Sequence, residues 1–192
     1  MNVTSKDEII AILTDIKDGL SDLLTSLDTL GEVLNYESEA VRVFDLNSIE
    51  LAIAKKSNIH ASMRSSIDAL EPNVKAFSDA IGFKSNQDKL NLSLFMQHLK
   101  KWYLEPRENG LMNKVLDHLV QTCLQISNEI ISLYQSRKVD IESNVYLVRK
   151  SLVQQQDTYR FWQAVAHDSE AVYSSAGKTQ KGVSQSLFQV KT

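Results

Sequence analysis

Few side chains in this 192-residue chain are equipped for chemistry, and their spacing does not assemble a familiar catalytic or metal-binding set. Four histidines, His60, His98, His118 and His167, could each ligate a metal. None has a glutamate three residues before it, the spacing a di-iron helical bundle uses, and no His-Glu-x-x-His run occurs. They read as surface or interfacial side chains. Cys123 is the single cysteine. It offers neither a thiolate zinc site nor an internal disulfide, and on an apolar helical stripe a thiol is hidden and its pKa raised, so it reads as a core residue. The run Gly177-Lys178-Thr179 resembles the end of a phosphate-binding loop. That loop needs a glycine five positions before Gly177, where Val172 stands, and a preceding strand. No Ser, His and Asp set can be assembled from spacing. The expectation is a protein that is not an enzyme and has no metal or cofactor.

The bulk properties agree with a binding role. A formal charge of −3 gives no basic face for nucleic acid. Six glycines, two prolines, 23% charged and 43% hydrophobic residues are the composition of a folded chain with few turns. No apolar run approaches the roughly 20 residues that span a bilayer. The N-terminal Met-Asn-Val-Thr-Ser-Lys-Asp-Glu lacks the basic-then-apolar order of a signal peptide. With one lone cysteine, a reducing compartment and hence the cytoplasm are expected, without membrane insertion.

The elements that would position any site are helices. Ile9, Leu13, Ile16, Leu20, Leu23, Leu27, Leu30 and Leu34 alternate steps of four and three, which is a coiled-coil seam. Ser5 and Glu8 supply a capping box at its start, and Asp7 and Glu8 suit the positive helix end. The same steps continue through Glu37 to Val41 and Phe44, so one carboxylate interrupts the seam. A turn over Asp45 to Ser48, capped by Asp45 or Asn47, leads to a second stripe: Ile49, Ile53, Lys56, His60, Met63, Ile67 and Leu70. Folded back as an antiparallel hairpin, this register sets Phe44 against Ile49, Glu37 against Lys56 and Leu30 against Met63. Glu37 and Lys56 are therefore expected to form a semi-buried ion pair that fixes helix alignment, the alternative being that both snorkel to solvent at the seam's edge.

Pro72 after Glu71 is expected to end the second helix. Residues 72–110 read as an insertion of short helices, Val74 to Ile81 closed by Gly82 and Leu90 to Tyr103 closed by Glu105-Pro106. The rings Phe77, Phe83, Phe95, Trp102 and Tyr103 form a compact cap there. A third long helix then carries Leu116, Leu119, Cys123, Ile126, Ile130 and Leu133, followed after Arg137 by Ile141, Asn144 and Val148, and its pattern fades near Gln156. The fold class is all-α: an elongated antiparallel bundle of three long helices, with short helices inserted between the second and third and a flexible C-terminal tail. The division is a bundle domain over 1–156 and a C-terminal helix with mobile tail over 157–192. Apolar side chains toward the C-terminus exceed what one seam can bury, which puts a partner surface on the third helix and on Tyr159, Phe161, Trp162, Val165 and Val172. Trp102, by contrast, reads as core. Leu187, Phe188 and Val190 read as a second docking segment.

These residues resemble the FlgN-type flagellar export chaperones: a leucine-rich helix, Glu37, Asp45 near the turn, Ile49 and Ile53, a lysine in the next turn at Lys55 or Lys56, and Tyr173 followed four residues later by Gly177. The resemblance covers about residues 8–71 and 112–178. The segment from Pro72 to Gly110 is longer than that family's connection, and the tail beyond Gly182 is extra. The resemblance implies a cytosolic chaperone that binds the C-terminal helices of the hook-filament junction proteins FlgK and FlgL, prevents their premature assembly and presents them to the export gate protein FlhA. It implies a gate contact at Tyr173 and Gly177. The competing expectation is a helical coiled-coil adaptor or structural interaction protein without an export role, and the oligomeric state stays open between monomer and dimer.

Overall fold

A computed structural model describes residues 5–83, 90–104 and 114–172, with side chains of the last helix described through residue 166. Every element among the described residues is a helix: α1 (Lys6–Arg42), α2 (Leu46–Ala80), α3 (Leu92–Leu104) and α4 (Lys114–Val172). The chain divides into two compact units, Met1–Val145 and Tyr146–Thr192, with the boundary inside α4.

In the first unit α1 is the central element. Ser5 caps it, its hydroxyl accepting the Glu8 amide at 3.2 Å, and Asp7 and Glu8 occupy the first turn, where negative charge meets the positive helix end. The whole leucine and isoleucine seam from Ile9 to Leu34 is buried, together with Glu37 and Val41. The helix stops at Arg42, two residues before the end of the apolar pattern. Phe44 takes a left-handed conformation with φ 56°. The amide of Phe44 donates to the carbonyl of Val41 at 3.3 Å and that of Asp45 to Ala40 at 3.0 Å, the paired bonds of a Schellman ending. Phe44 therefore lies beyond the helix and is 42% exposed.

Asp45 is the cap of α2. Its carboxylate accepts the Ser48 amide at 3.2 Å and the Ser48 hydroxyl at 2.7 Å, and these bonds hold its pKa below the ordinary aspartate value. The same Ser48 hydroxyl accepts from Tyr36 at 2.7 Å, which ties the first turn of α2 to the last turns of α1. The hairpin is antiparallel, and at its far end the backbone at Gly19 comes so close to Leu70 that a β-carbon would lie 2.8 Å from Leu70 Cδ2.

Two sequence expectations for α2 are corrected. The stripe turned toward its neighbours is Ile49, Ala52, Lys56, Ile59, Met63, Ile67 and Leu70, whereas Ile53, 54% exposed, and His60 face away. Ala52, fully buried, takes the seam position, where a small side chain suits close helix packing, and the more hydrophobic Ile53 was a misleading cue. Pro72 does not end the helix, which continues to Ala80. An interior proline costs about 3 kcal/mol, but Leu70 before it and Phe77 after it lie seven residues apart on one face and are both fully buried. Burying Phe77 alone is worth roughly 2 to 3 kcal/mol, and it anchors the turns beyond the proline. Gly82, at φ +81°, then closes α2 with the same paired bonds that end α1, Gly82 to Asp79 and Phe83 to Ser78.

Asn91 starts α3, its side chain accepting the Leu94 amide at 3.0 Å, and Glu71 of α2 accepts the Leu90 amide at 2.9 Å. The short helix turns Phe95, Leu99 and Trp102 inward around Phe77, which meets Phe95 edge-on at 5.9 Å and Trp102 at 5.5 Å. One hydrophobic cluster joins these rings to Ile9 through Leu27 of α1, Leu70 of α2 and Leu116 through Ile130 of α4. The core of this unit thus lies where α1 begins and α2 ends.

Helix α4 meets α1 in a register of unusual regularity. The Cys123 thiol donates to the carbonyl of Leu13 at 3.7 Å, Arg137 Nε to that of Leu27 at 3.2 Å, and Asn144 Nδ2 to that of Leu34 at 2.8 Å, each pair separated by 110 residues. A constant separation means that the two helices run parallel, and intervals of seven and fourteen residues make the contact a heptad repeat. In the second unit the helix runs unbroken through Gln156 to Val172, past the point where its apolar pattern fades. No glycine or proline stands there to stop it.

Candidate functional site

Two places in the molecule depart from a plain apolar helix seam. The first is a polar layer inside the first unit. Glu37 of α1 is 5% exposed and Asn144 of α4 is 7% exposed. Lys56 Nζ of α2 donates to Glu37 Oε1 at 2.5 Å, and Asn144 Nδ2 donates to Glu37 Oε2 at 3.0 Å. One carboxylate therefore binds a partner from each flanking helix, with both oxygens satisfied, which is the condition under which a charge survives burial. Glu37 and Lys56, singled out by their positions on two stripes, are brought together. Lys55 does not join them; its ammonium lies 5.4 Å from the centre of the exposed Tyr36 ring.

Just below this layer Arg137 bonds Leu27 O with Nε and Asp140 Oδ2 with Nη1 at 3.0 Å. Its guanidinium lies against the backbone at Gly31, where any β-carbon would overlap it. The missing β-carbon of Gly31 leaves room for the group in this position, and a larger residue would displace it. Sequence reading placed Asn144 on the α4 stripe and passed over Arg137 and Gly31 as contributors. The signal was available in the spacing, since Cys123, Arg137 and Asn144 stand at the same heptad position as one another.

The second place is the exposed face of α4 in the second unit. Tyr159, Phe161, Trp162 and Val165 are 48, 61, 62 and 40% exposed, and Phe161 and Trp162 meet edge-on at 5.6 Å. Tyr146, Leu152 and Val153, not singled out by the sequence, are exposed as well. Leu152 and Tyr159, seven residues apart, share one face; Phe161 and Val165, four apart, share another turned away from Leu152, and Trp162 lies between the two. Residues 146–166 carry Arg149, Lys150 and Arg160 against Asp157 alone, a local excess of positive charge in a chain of net charge −3. The exposed surface of this stretch has the composition of a binding surface: large rigid apolar groups flanked by charge. The side chain of Val172, together with Tyr173, Gly177 and the 187–190 segment, lies outside the described residues.

The candidates for chemistry are dispersed. His60 and His118 are exposed, and His98 stacks on Phe83 at 4.6 Å between ring centres; His167 has no described side chain. Among the described residues no group of three or more His, Cys, Asp or Glu is gathered closely enough to hold a metal ion. Cys123 is buried, and burial pushes its thiol up to about 12, against a smaller downward pull from Lys17. No described helix is long and apolar enough to cross a membrane. No protein-family profile, curated protein or solved structure matches this chain, so its own geometry is what a functional reading rests on.

Proposed function

We propose that the chain is a helix-binding chaperone of flagellar type III export, acting in the cytoplasm on the C-terminal helices of the hook-filament junction proteins FlgK and FlgL. In this reading the three long helices form an elongated antiparallel bundle that serves as scaffold. Client helices lie on α4 along Tyr159, Phe161, Trp162, Val165 and Val172. Tyr173 and Gly177 contact the export gate protein FlhA. The single observation that carries the binding role is the exposure of four large apolar side chains within seven residues of one helix, Tyr159 to Val165. Covering each with a partner's apolar face is worth roughly 1 to 2 kcal/mol, enough together to hold an amphipathic helix in a groove-type contact. The basic flanks Arg149, Lys150 and Arg160 favour a client helix with acidic edges.

Titration of the full chain with a C-terminal fragment of a junction protein tests the reading. Binding that weakens at least tenfold in Trp162→Ala, with FlhA capture lost in Tyr173→Ala and client binding kept, is the expected result. Absence of client binding by the native chain rejects it. The second reading, a coiled-coil adaptor without an export role, draws on the heptad intervals at Leu152 and Tyr159. It calls for stable self-association through this face and indifference to junction proteins, which sedimentation of the same samples measures.

A further inference from the structure

The face that α1 offers to α4 carries almost no positional information. The residues along it at seven-residue intervals, Leu13, Leu20, Leu27 and Leu34, are identical and all buried. Sliding α4 by one heptad, about 10 Å, sets leucine against its stripe again. Because apolar attraction is non-directional, the packing of α4 against this face of α1 leaves such positions close in energy, the rings of α2 and α3 touching only the first turns of α4.

The features that break this repetition are polar or are spaces for polar groups, and each occurs once on α1. Glu37 is the only charged residue buried there. Its carboxylate takes Asn144 on one oxygen and Lys56 on the other. Gly31 leaves a space against the backbone that the Arg137 guanidinium fills, and the other described glycine of α1, Gly19, is taken up by Leu70 of α2. A one-heptad slide in either direction separates Asn144 from Glu37, presses Arg137 onto a backbone carrying β-carbons and leaves polar groups buried without partners.

We propose that Glu37, Lys56, Arg137 and Asn144, with the gap at Gly31, form a register lock that selects one of several heptad-related positions of α4 along α1. The α2 lysine and the α4 asparagine converge on one α1 carboxylate, so the lock sets all three helices at once. A polar residue at an otherwise apolar heptad position selects register in coiled coils in the same way.

The native thiol provides the test, because Cys123 lies opposite Leu13 in the observed register. Leu13→Cys in the full chain reports that register by disulfide formation under mild oxidation, and Leu20→Cys and Lys6→Cys report slides of one heptad in the two directions. With the lock intact, closure with Cys123 should be at least fivefold greater for Leu13→Cys than for Leu20→Cys or Lys6→Cys, and closure that favours position 20 or 6 overturns the register itself. In the Glu37→Leu, Lys56→Leu, Arg137→Leu and Asn144→Leu combination, cross-linking at position 20 or 6 should rise at least fivefold while helical circular dichroism is kept. A helical combination that still cross-links only at position 13 overturns the lock.

A transplant covers the case in which that combination does not fold. Leu30→Glu, Glu37→Leu, Lys56→Met and Met63→Lys, with Arg137→Leu, moves the ion pair one heptad along the hairpin and should draw Asn144 after it. Cross-linking should then shift from position 13 to position 6, and retention at 13 overturns the proposal.

Discussion

The two halves of α4 belong to one helix yet differ in what covers them. From Leu116 to Asn144 the stripe facing α1 is buried at Leu116, Val120, Cys123 and Ile130 and ends in side chains that bond the α1 backbone. From Tyr146 to Ala166 no described side chain is buried, although Leu152, Tyr159, Phe161 and Trp162 are as large and apolar as anything in the first half. The lesson is that the continuity of a helix and its burial have separate causes. The absence of glycine and proline keeps the backbone helical throughout, while only the first half has a partner within its own unit to remove its apolar groups from water.

The sharpest way to break that comparison is to trim one apolar residue from each half. Leu116→Ala should cost about 3 kcal/mol of unfolding free energy in urea, as expected for a fully buried leucine. Leu152→Ala should stay within about 0.5 kcal/mol. Equal losses would mean that the second half is covered after all. Next in size, Glu37→Ala strands Lys56 and Asn144 and should cost about 2 to 3 kcal/mol, reduced from the fully buried case because the lysine side chain is 25% exposed. Glu37→Leu together with Lys56→Leu and Asn144→Leu should recover most of that loss.

A pH titration probes the buried half alone. The Cys123 thiol has a folded pKa near 12, against about 8.5 in an unfolded chain. For a thiol shifted upward, the unfolded state releases its proton first as pH rises. The stability that depends on the neutral thiol is therefore full below about pH 8.5 and declines between there and pH 12, by up to roughly 1.4 kcal/mol per pH unit. Cys123→Ala should flatten that part of the profile, measured against the native chain so that tyrosine and lysine titration cancels. The smallest effect is expected at the hairpin tip. Phe44→Gly relieves a left-handed phenylalanine and should stabilise the chain by about 0.5 to 1 kcal/mol, visible as a small rise in denaturant midpoint.

How much of this was legible in the sequence depends on the kind of signal. The α1 seam and its cap at Ser5 were readable because period and capping are local properties of consecutive residues. The approach of Glu37 and Lys56 was readable because a hairpin with a short turn fixes register from the turn outward. The phase of α2 was not, since choosing Ala52 over Ile53 depends on how closely another helix comes. The passage through Pro72 was not, because the burial of Phe77 that offsets it is a tertiary fact. The pairing of Arg137 with Gly31 was legible only in part, because the heptad position that Arg137 shares with Cys123 and Asn144 marks it as facing a neighbour without saying which residue it meets. The exposure of Trp162 beside the burial of Trp102 matched the expected division of the aromatics, for Trp102 stands where residues of four helices converge and Trp162 touches a ring of its own helix.

The separation of 110 residues between α1 and its α4 contacts also has a consequence for synthesis. The hairpin of α1 and α2 closes over short spans, such as the 19 residues between Glu37 and Lys56. Joining α4 to α1 closes a far longer loop, at an added entropy cost of about 1.5 kcal/mol. At ribosomal speeds of about 5 to 20 residues per second, roughly 5 to 20 seconds pass between the emergence of Leu13 and that of Cys123. During that interval the leucine ladder is made and its own cover is not. A nascent chain in this state is open to the α4 of a neighbouring copy, so domain-swapped pairs should accumulate when many ribosomes translate one message closely spaced and should diminish when initiation is slowed.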